Sequence, residues 1–205
     1  MKKLIPLFLS LFILGFSLSA QAQTDLKYGA KVGLNFANLS GNDAPQGAST
    51  RTGLVIGGFL TYNFAPMFGL QPEVLYSMKG SSGATNGVSY TFSLNYIEIP
   101  ALLKFYIPLA PGSPISANLY AGPDFAFNVA SSVETSFNGQ TNTTDESSNT
   151  KGFDFNIMFG GGVGFNVGPT TLGVELRYTL GTGTVASDGS DIKNGVFAIL
   201  ASITF

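Results

Sequence analysis

The chain has 205 residues, with 10 Lys+Arg against 12 Asp+Glu, no His and no Cys, and only 11% of it is charged. Ordinary soluble domains carry about 25% charged residues, so a soluble reading fits poorly, and the mild acidity gives no support to nucleic-acid binding. Without Cys there is no disulfide, thiolate metal site or lipid-modified Cys; without His there is no Ser-His-Asp triad, His-ligated metal or His general base.

The chain opens MKKLIPLFLSLFILGFSLSAQAQ. Lys2 and Lys3 form a basic start, Leu4 to Leu18 is apolar, and Ala20-Gln21-Ala22 reads small-x-small. This predicts a cleaved signal peptide over residues 1–22. Removing 22 of the 205 residues leaves 183, a length that fits one domain over 23–205. Past the opening, no apolar run is long enough for a membrane helix.

Period-2 alternation, the pattern of a pleated strand with unlike faces, then appears eight times. The first segment is Tyr28–Asn38, with Ala30, Val32, Leu34 and Phe36 opposite Lys31, Gly33 and Asn35. The second is Gly53–Phe64, and the third is Phe68–Lys79, where Gln71, Glu73, Ser77 and Lys79 alternate with Leu70, Pro72, Val74, Tyr76 and Met78. The fourth is Leu94–Ile107, with Ile97, Ile99, Leu103 and Phe105 opposite Glu98, Pro100 and Lys104. The fifth is Ile115–Val129, the sixth Phe153–Val167, the seventh Leu172–Leu180 and the eighth Val196–Phe205. Short connections (Ala65-Pro66, Pro108–Pro114, Gly168-Pro169) alternate with long polar ones (Leu39–Thr52, Gly80–Ser93, Ala130–Gly152, Gly181–Gly195). Short turns at one rim and long loops at the other are the layout of an outer-membrane barrel. The expected fold is therefore an all-β, eight-stranded antiparallel up-and-down transmembrane barrel in the outer membrane of a Gram-negative bacterium.

The facing follows from the charges. Lys31, Glu73, Lys79, Glu98, Lys104, Asp124, Asp154, Glu175 and Arg177 all share the polar parity of their segments. A Lys or Arg on the lipid face near the midplane costs about 2–4 kcal/mol. The apolar parity should thus face lipid, and the five acids and four bases should form an ion-pair network in a lumen that side chains fill. Val74→Arg is expected to block insertion, and Glu73→Gln to be tolerated. Tyr62, Phe64, Phe105, Phe165 and Phe205 at the short-turn rim, with Tyr76, Phe127, Phe153 and Tyr178 toward the loops, fit interfacial girdles. Phe205, last in the chain and in phase with the apolar face, is expected to serve as a signal for the barrel-assembly machinery.

Two features interrupt the pattern. Pro72, Pro100 and Pro123 lie inside segments, where each removes a ladder donor. In addition, Tyr90, Phe92, Leu94 and Tyr96 are apolar on even parity before odd parity takes over at Ile97. A bulge near Asn95–Ile97 is expected to switch the phase.

The stretches LNFANLSG, GGF, LQPEVLYSMKG, LNYIEIPALLKFY, AGPDF, GGGVGF and ELRYTLG span the chain beyond its opening and resemble the PorT-like outer-membrane β-barrel family. The resemblance implies an eight-stranded barrel and an association with protein secretion across the outer membrane. FGGGVGF looks like a phosphate-cradling loop, but it sits in an alternating strand with no helix after it, so glycines that admit close packing are the better reading. Asp188 and Asp191 in SDGSD read as a solvated turn. No enzyme activity and no cofactor is expected. The functional expectation is a non-enzymatic barrel whose surface loops serve structural or partner-binding roles. The alternatives are an accessory component of a secretion or assembly system, or a small ion or solute pore.

Overall fold

The computed structural model describes residues 25–44, 48–85 and 87–205. The expected signal peptide over 1–22 lies outside the described residues. Within them the strands are β1 (Asp25–Ser40), β2 (Ser49–Ala65), β3 (Phe68–Thr85), β4 (Val88–Ile107), β5 (Ile115–Phe137), β6 (Gln140–Asp145), β7 (Phe153–Val167), β8 (Thr170–Gly181) and β9 (Lys193–Thr204). They hydrogen-bond in the order β4-β3-β2-β1-β9-β8-β7-β5-β6, and a further β4–β5 pairing closes the ring. The barrel is an eight-stranded antiparallel cylinder, as the alternation predicts. The ninth strand, β6, pairs with β5 outside the ring. Closure of first strand on last runs from Gly29↔Thr204 to Ser40↔Lys193. Tyr28 and Phe205 extend it by exchanging two backbone hydrogen bonds of 3.3 and 2.8 Å.

The two faces separate by polarity because successive side chains leave a strand on opposite sides. Outward residues form a continuous exposed apolar wall, including Val32, Leu34, Val74, Leu103, Leu119 and Leu176. Rings line up across neighbouring strands at both ends of it. At the short-turn end Tyr62, Phe64, Phe68 and Phe105 form a chain of contacts, and Tyr28 stacks on Phe205 at 5.7 Å. Toward the loops Phe127 meets Phe153 at 5.4 Å and Phe159 meets Tyr178 at 5.4 Å.

Two expectations need correction. First, Gly80–Ser93 is not a loop. β3 and β4 continue through it and stay paired as far as Thr85↔Val88. Likewise Ala130–Gly152 contains the end of β5, the turn Asn138-Gly139 and β6. Both turn residues take positive φ, 48° and 78°, as a two-residue hairpin turn requires. Second, β4 does not switch phase: Leu94, Tyr96, Glu98 and Leu102 all point inward. The irregularity lies opposite, on β5, where Asn95 pairs with Ala130 and Tyr96 with Asn128. Val129 is the extra residue; Val129 and Ala130 both face outward in succession, after which Ser131 turns in. Pro72 and Pro100, each lacking a ladder donor, stand at local gaps in the pairing without a shift of register. Pairing lapses between Pro72↔Ala101 and Leu75↔Glu98, and between Pro100↔Asp124 and Leu103↔Ala121, then resumes in phase.

Candidate functional site

The lumen is the candidate site because all nine strand charges named from the sequence point into it. Each is at most 9% exposed. A buried charge is tolerated only when paired or hydrogen-bonded, so the pairing pattern shows what each one does. They do not form one network. They divide into two layers.

The layer toward the short turns is built on Glu73 and Glu175. Lys31 Nζ donates to Glu73 Oε1 at 2.8 Å and to Glu175 Oε2 at 3.0 Å. Arg177 forks onto Glu73 with two bonds of 2.9 and 3.0 Å, the bidentate geometry that guanidinium and carboxylate share. It also reaches Glu175 at 3.4 Å. Tyr120 completes the layer: its hydroxyl donates to Glu175 Oε2 at 3.1 Å and accepts from Arg177 Nε at 3.2 Å. Its ring lies under the guanidinium at 5.2 Å. Gln71 Nε2 donates to Glu73 at 2.7 Å, while Gln71 Oε1 accepts from Thr61 at 2.8 Å and from Lys104 at 3.0 Å. Lys104 therefore forms no ion pair with Glu73 or Asp124, although the strands beside its own carry them. Its ammonium has no carboxylate within ion-pair distance among the described residues.

The layer toward the loops holds Lys79, Glu98, Asp124 and Asp154. Lys79 and Glu98 form an ion pair, and the Lys79 ammonium sits 5.2 Å from the Tyr96 ring. Asn156 donates to Asp124 Oδ2 at 2.9 Å, and Asn194 reaches Asp154 Oδ2 and the Tyr96 hydroxyl, both at 3.4 Å. Oxygens remain without a protein donor on Asp124, Asp154, Asn156 and Asn194. Above this layer Leu39, Leu94, Tyr96, Ala126 and Val185 close the loop end of the lumen, with Phe92 and Ile192 packed against them. Val185 comes from the loop between β8 and β9. That loop is pinned by bonds from Lys151 N to Val185 O and from Val185 N to Ile192 O, both 2.8 Å.

SDGSD lies on the exposed side of the same loop. Asp188 accepts from Ser190 N at 2.9 Å, which holds its carboxyl below the ordinary carboxylate value. Asp191 is held low chiefly by Lys193 and then by the Asn42 amide, which ties this loop to the one after β1. Phe205 lies at the short-turn rim, half exposed on the outer face.

Sequence reasoning missed the uncharged members of the lumen. Tyr96 and Tyr120 carry the inward parity of Glu98 and Asp124, and that phase was the available signal. Gly160 explains part of GGGVGF: a side chain there would meet the Tyr120 hydroxyl and the Leu176 carbonyl. The glycine makes room for the tyrosine that bridges Glu175 and Arg177.

Residues 20–185 match the family model described as outer membrane protein beta-barrel domain. No curated protein matches the chain. Among similar solved structures is Ail, the attachment invasion locus protein of Yersinia pestis. It is 15% identical, covering 87% of this chain and 98% of that one at a TM-score of 0.45. Neisserial surface protein A is 15% identical over 86% of this chain and 95% of that one, at 0.49. The outer membrane protease OmpT from Escherichia coli is 11% identical over 91% and 99%, at 0.44. At such identities and scores the likeness carries nothing about activity.

Proposed function

Since the chain belongs to the family of outer membrane protein beta-barrel domains, we propose that it is a non-enzymatic surface barrel that binds a partner through the sheet beyond its apolar wall. The observation that carries this reading is β6. The ends of β2, β3, β4 and β5 continue one hydrogen-bonded sheet past the lumen layers, from Ser49↔Ser82 to Ser132↔Asp145. Its last strand, QTNTTD, is exposed at every residue and is paired on one side only among the described residues. An unpaired edge offers a row of backbone donors and acceptors to an extended segment of another chain. The lumen points the same way: paired charges and an apolar closure at the loop end leave it unsuited to conduction. Insertion rests on outer-membrane lipid at the apolar wall, with Phe205 as the signal to the assembly machinery.

The experiment is crosslinking on intact cells with a tag in the Asn138-Gly139 turn, followed by affinity capture. A stoichiometric partner that disappears in Thr143→Pro, which removes an edge donor and leaves the barrel untouched, supports the reading. Recovery of the barrel alone overturns it.

The PorT-like resemblance favours a second reading, an accessory of protein secretion. The stretches that carry it supply Glu73, Lys79, Glu98, Lys104, Asp124, Glu175 and Arg177, all lumen residues. They therefore support a shared barrel interior more than a shared surface partner. Normal export of secreted proteins in a deletion strain would end that reading, and reproducible single-channel openings in planar bilayers would favour the pore alternative instead.

A further inference from the structure

The lumen is closed at the loop end and open at the other. A cavity of about 310 Å³ enters from the short-turn rim, between Pro66 and Asn166, and reaches Thr61, Lys104 and Glu175 at its floor. Short turns face the periplasm in outer-membrane barrels, so this cup is open to periplasmic solutes. Ser116, Asn118 and Ser202 face it, glycines stand at 162, 164 and 173, and Lys27, Phe59 and Tyr106 complete the wall.

The charges at the floor do not balance. Glu73 and Glu175 face Lys31, Lys104 and Arg177, two carboxylates against three cations. Both carboxylates are engaged by Lys31 and Arg177, with Gln71 and Tyr120 taking further positions on them. Glu175 lines the cup, but its oxygens already accept from Lys31, Arg177 and Tyr120. Lys104 has one neutral acceptor, Gln71 Oε1 at 3.0 Å, and Tyr106 as a ring neighbour at 5.6 Å. An ammonium has three donors, and a cation this buried calls for a counter-charge. Lys104 also lines the cup.

We propose that the periplasmic cup binds a small oxyanion, phosphate or a group of the same charge and shape, with Lys104 as its counter-charge. The hydroxyl of Ser202 supplies a neutral donor beside it, and that of Ser116, held only by a 3.5 Å bond to the Gly164 carbonyl, can turn to supply a second. The proposal is independent of any partner at the outer sheet.

The test is a titration of inorganic phosphate into the barrel in a phosphate-free glycoside detergent, followed by the lysine side-chain resonances. A saturable shift is expected at Lys104, larger than any at Lys27, the other lysine that lines the cup. Binding should weaken at least about tenfold in Lys104→Met and persist in Lys104→Arg, since one charge-assisted contact is lost in the first and kept in the second. A non-saturating drift shared with surface lysines, or an unchanged response in Lys104→Met, would mean an adventitious ion only and overturn the proposal. Reconstitution into phosphatidylglycerol nanodiscs separates the sources. A Lys104 resonance already shifted before phosphate is added assigns the site to a lipid headgroup, and a full phosphate response assigns it to a free anion.

Discussion

On the short-turn side of the lumen, Glu73 and Glu175 share Lys31 and Arg177 in a set of bonds that leaves no carboxylate oxygen of Glu73 or Glu175 without a donor. On the loop side, Glu98, Asp124 and Asp154 have a single cation, Lys79, and unsatisfied oxygens on four neighbouring side chains. The difference comes from which strands carry the charges. Lys31 on β1, Glu73 on β3 and the Glu175/Arg177 pair on β8 converge from separate arcs of the wall. The three acids of the other layer lie on β4, β5 and β7, neighbours along one arc, so like charges crowd where only Lys79 on β3 can answer them. A saturated layer is costly to alter. An under-paired layer has partners to spare and tolerates change.

That contrast orders the expected effects. The largest is Glu73→Gln. The sequence alone suggested tolerance, but the geometry argues otherwise, because the substitution leaves Arg177 and Lys31 buried with one carboxylate between them. Removing one partner of a buried ion pair costs about 3–5 kcal/mol. A matching drop in urea unfolding stability in lipid vesicles is expected, and a change under about 1 kcal/mol would show that the layer is not a structural hub. Next is Val74→Arg, 57% exposed on the apolar wall. It should lower stability by about 2–4 kcal/mol and reduce the heat-modifiable, inserted fraction on gels; normal insertion would invert the facing of β3.

Asp124→Asn should do far less, within about 1 kcal/mol in either direction, because it removes a like charge and an oxygen that has no donor. A loss as large as that of Glu73→Gln would erase the distinction between the layers. The smallest effect is at the loop surface. Asp188 and Asp191 have folded-state values held below normal. Their contribution to loop order is therefore complete above the ordinary carboxylate value near pH 4 and is lost as pH falls through it. Amide protection in residues 182–192, measured against the intrinsic exchange rate at each pH, should fall below about pH 4 and stay flat between pH 5 and 8. Protection that is unchanged below pH 4, or unchanged by Asp191→Asn at pH 7, would show that these carboxylates do not order the loop.

The strand count, the closure and the facing were legible because they follow from one local rule. A strand presents alternate residues to opposite sides, so a charge at Glu73 and none at Val74 already assigns lumen and lipid. The hairpin extensions were not legible in the same way. GSSGATNGVS and the Ser, Thr and Asn of 131–145 look like loop by composition, yet they pair as strands because β4 and β5 lie beside them and supply the ladder. Strands whose two faces are both polar carry no alternation to read.

What the sequence by itself determined is the barrel and the inward set of nine charges, since parity is a property of the strand alone. What only the tertiary structure decided is who meets whom. Lys104 bonds Gln71 rather than Glu73 or Asp124, and Tyr120 bridges Glu175 and Arg177. The phase correction falls at Val129 on β5 and not on β4. Each of these depends on the register between paired strands and on which arc of a closed wall each one occupies. Register and arc position arise only when the last strand pairs with the first.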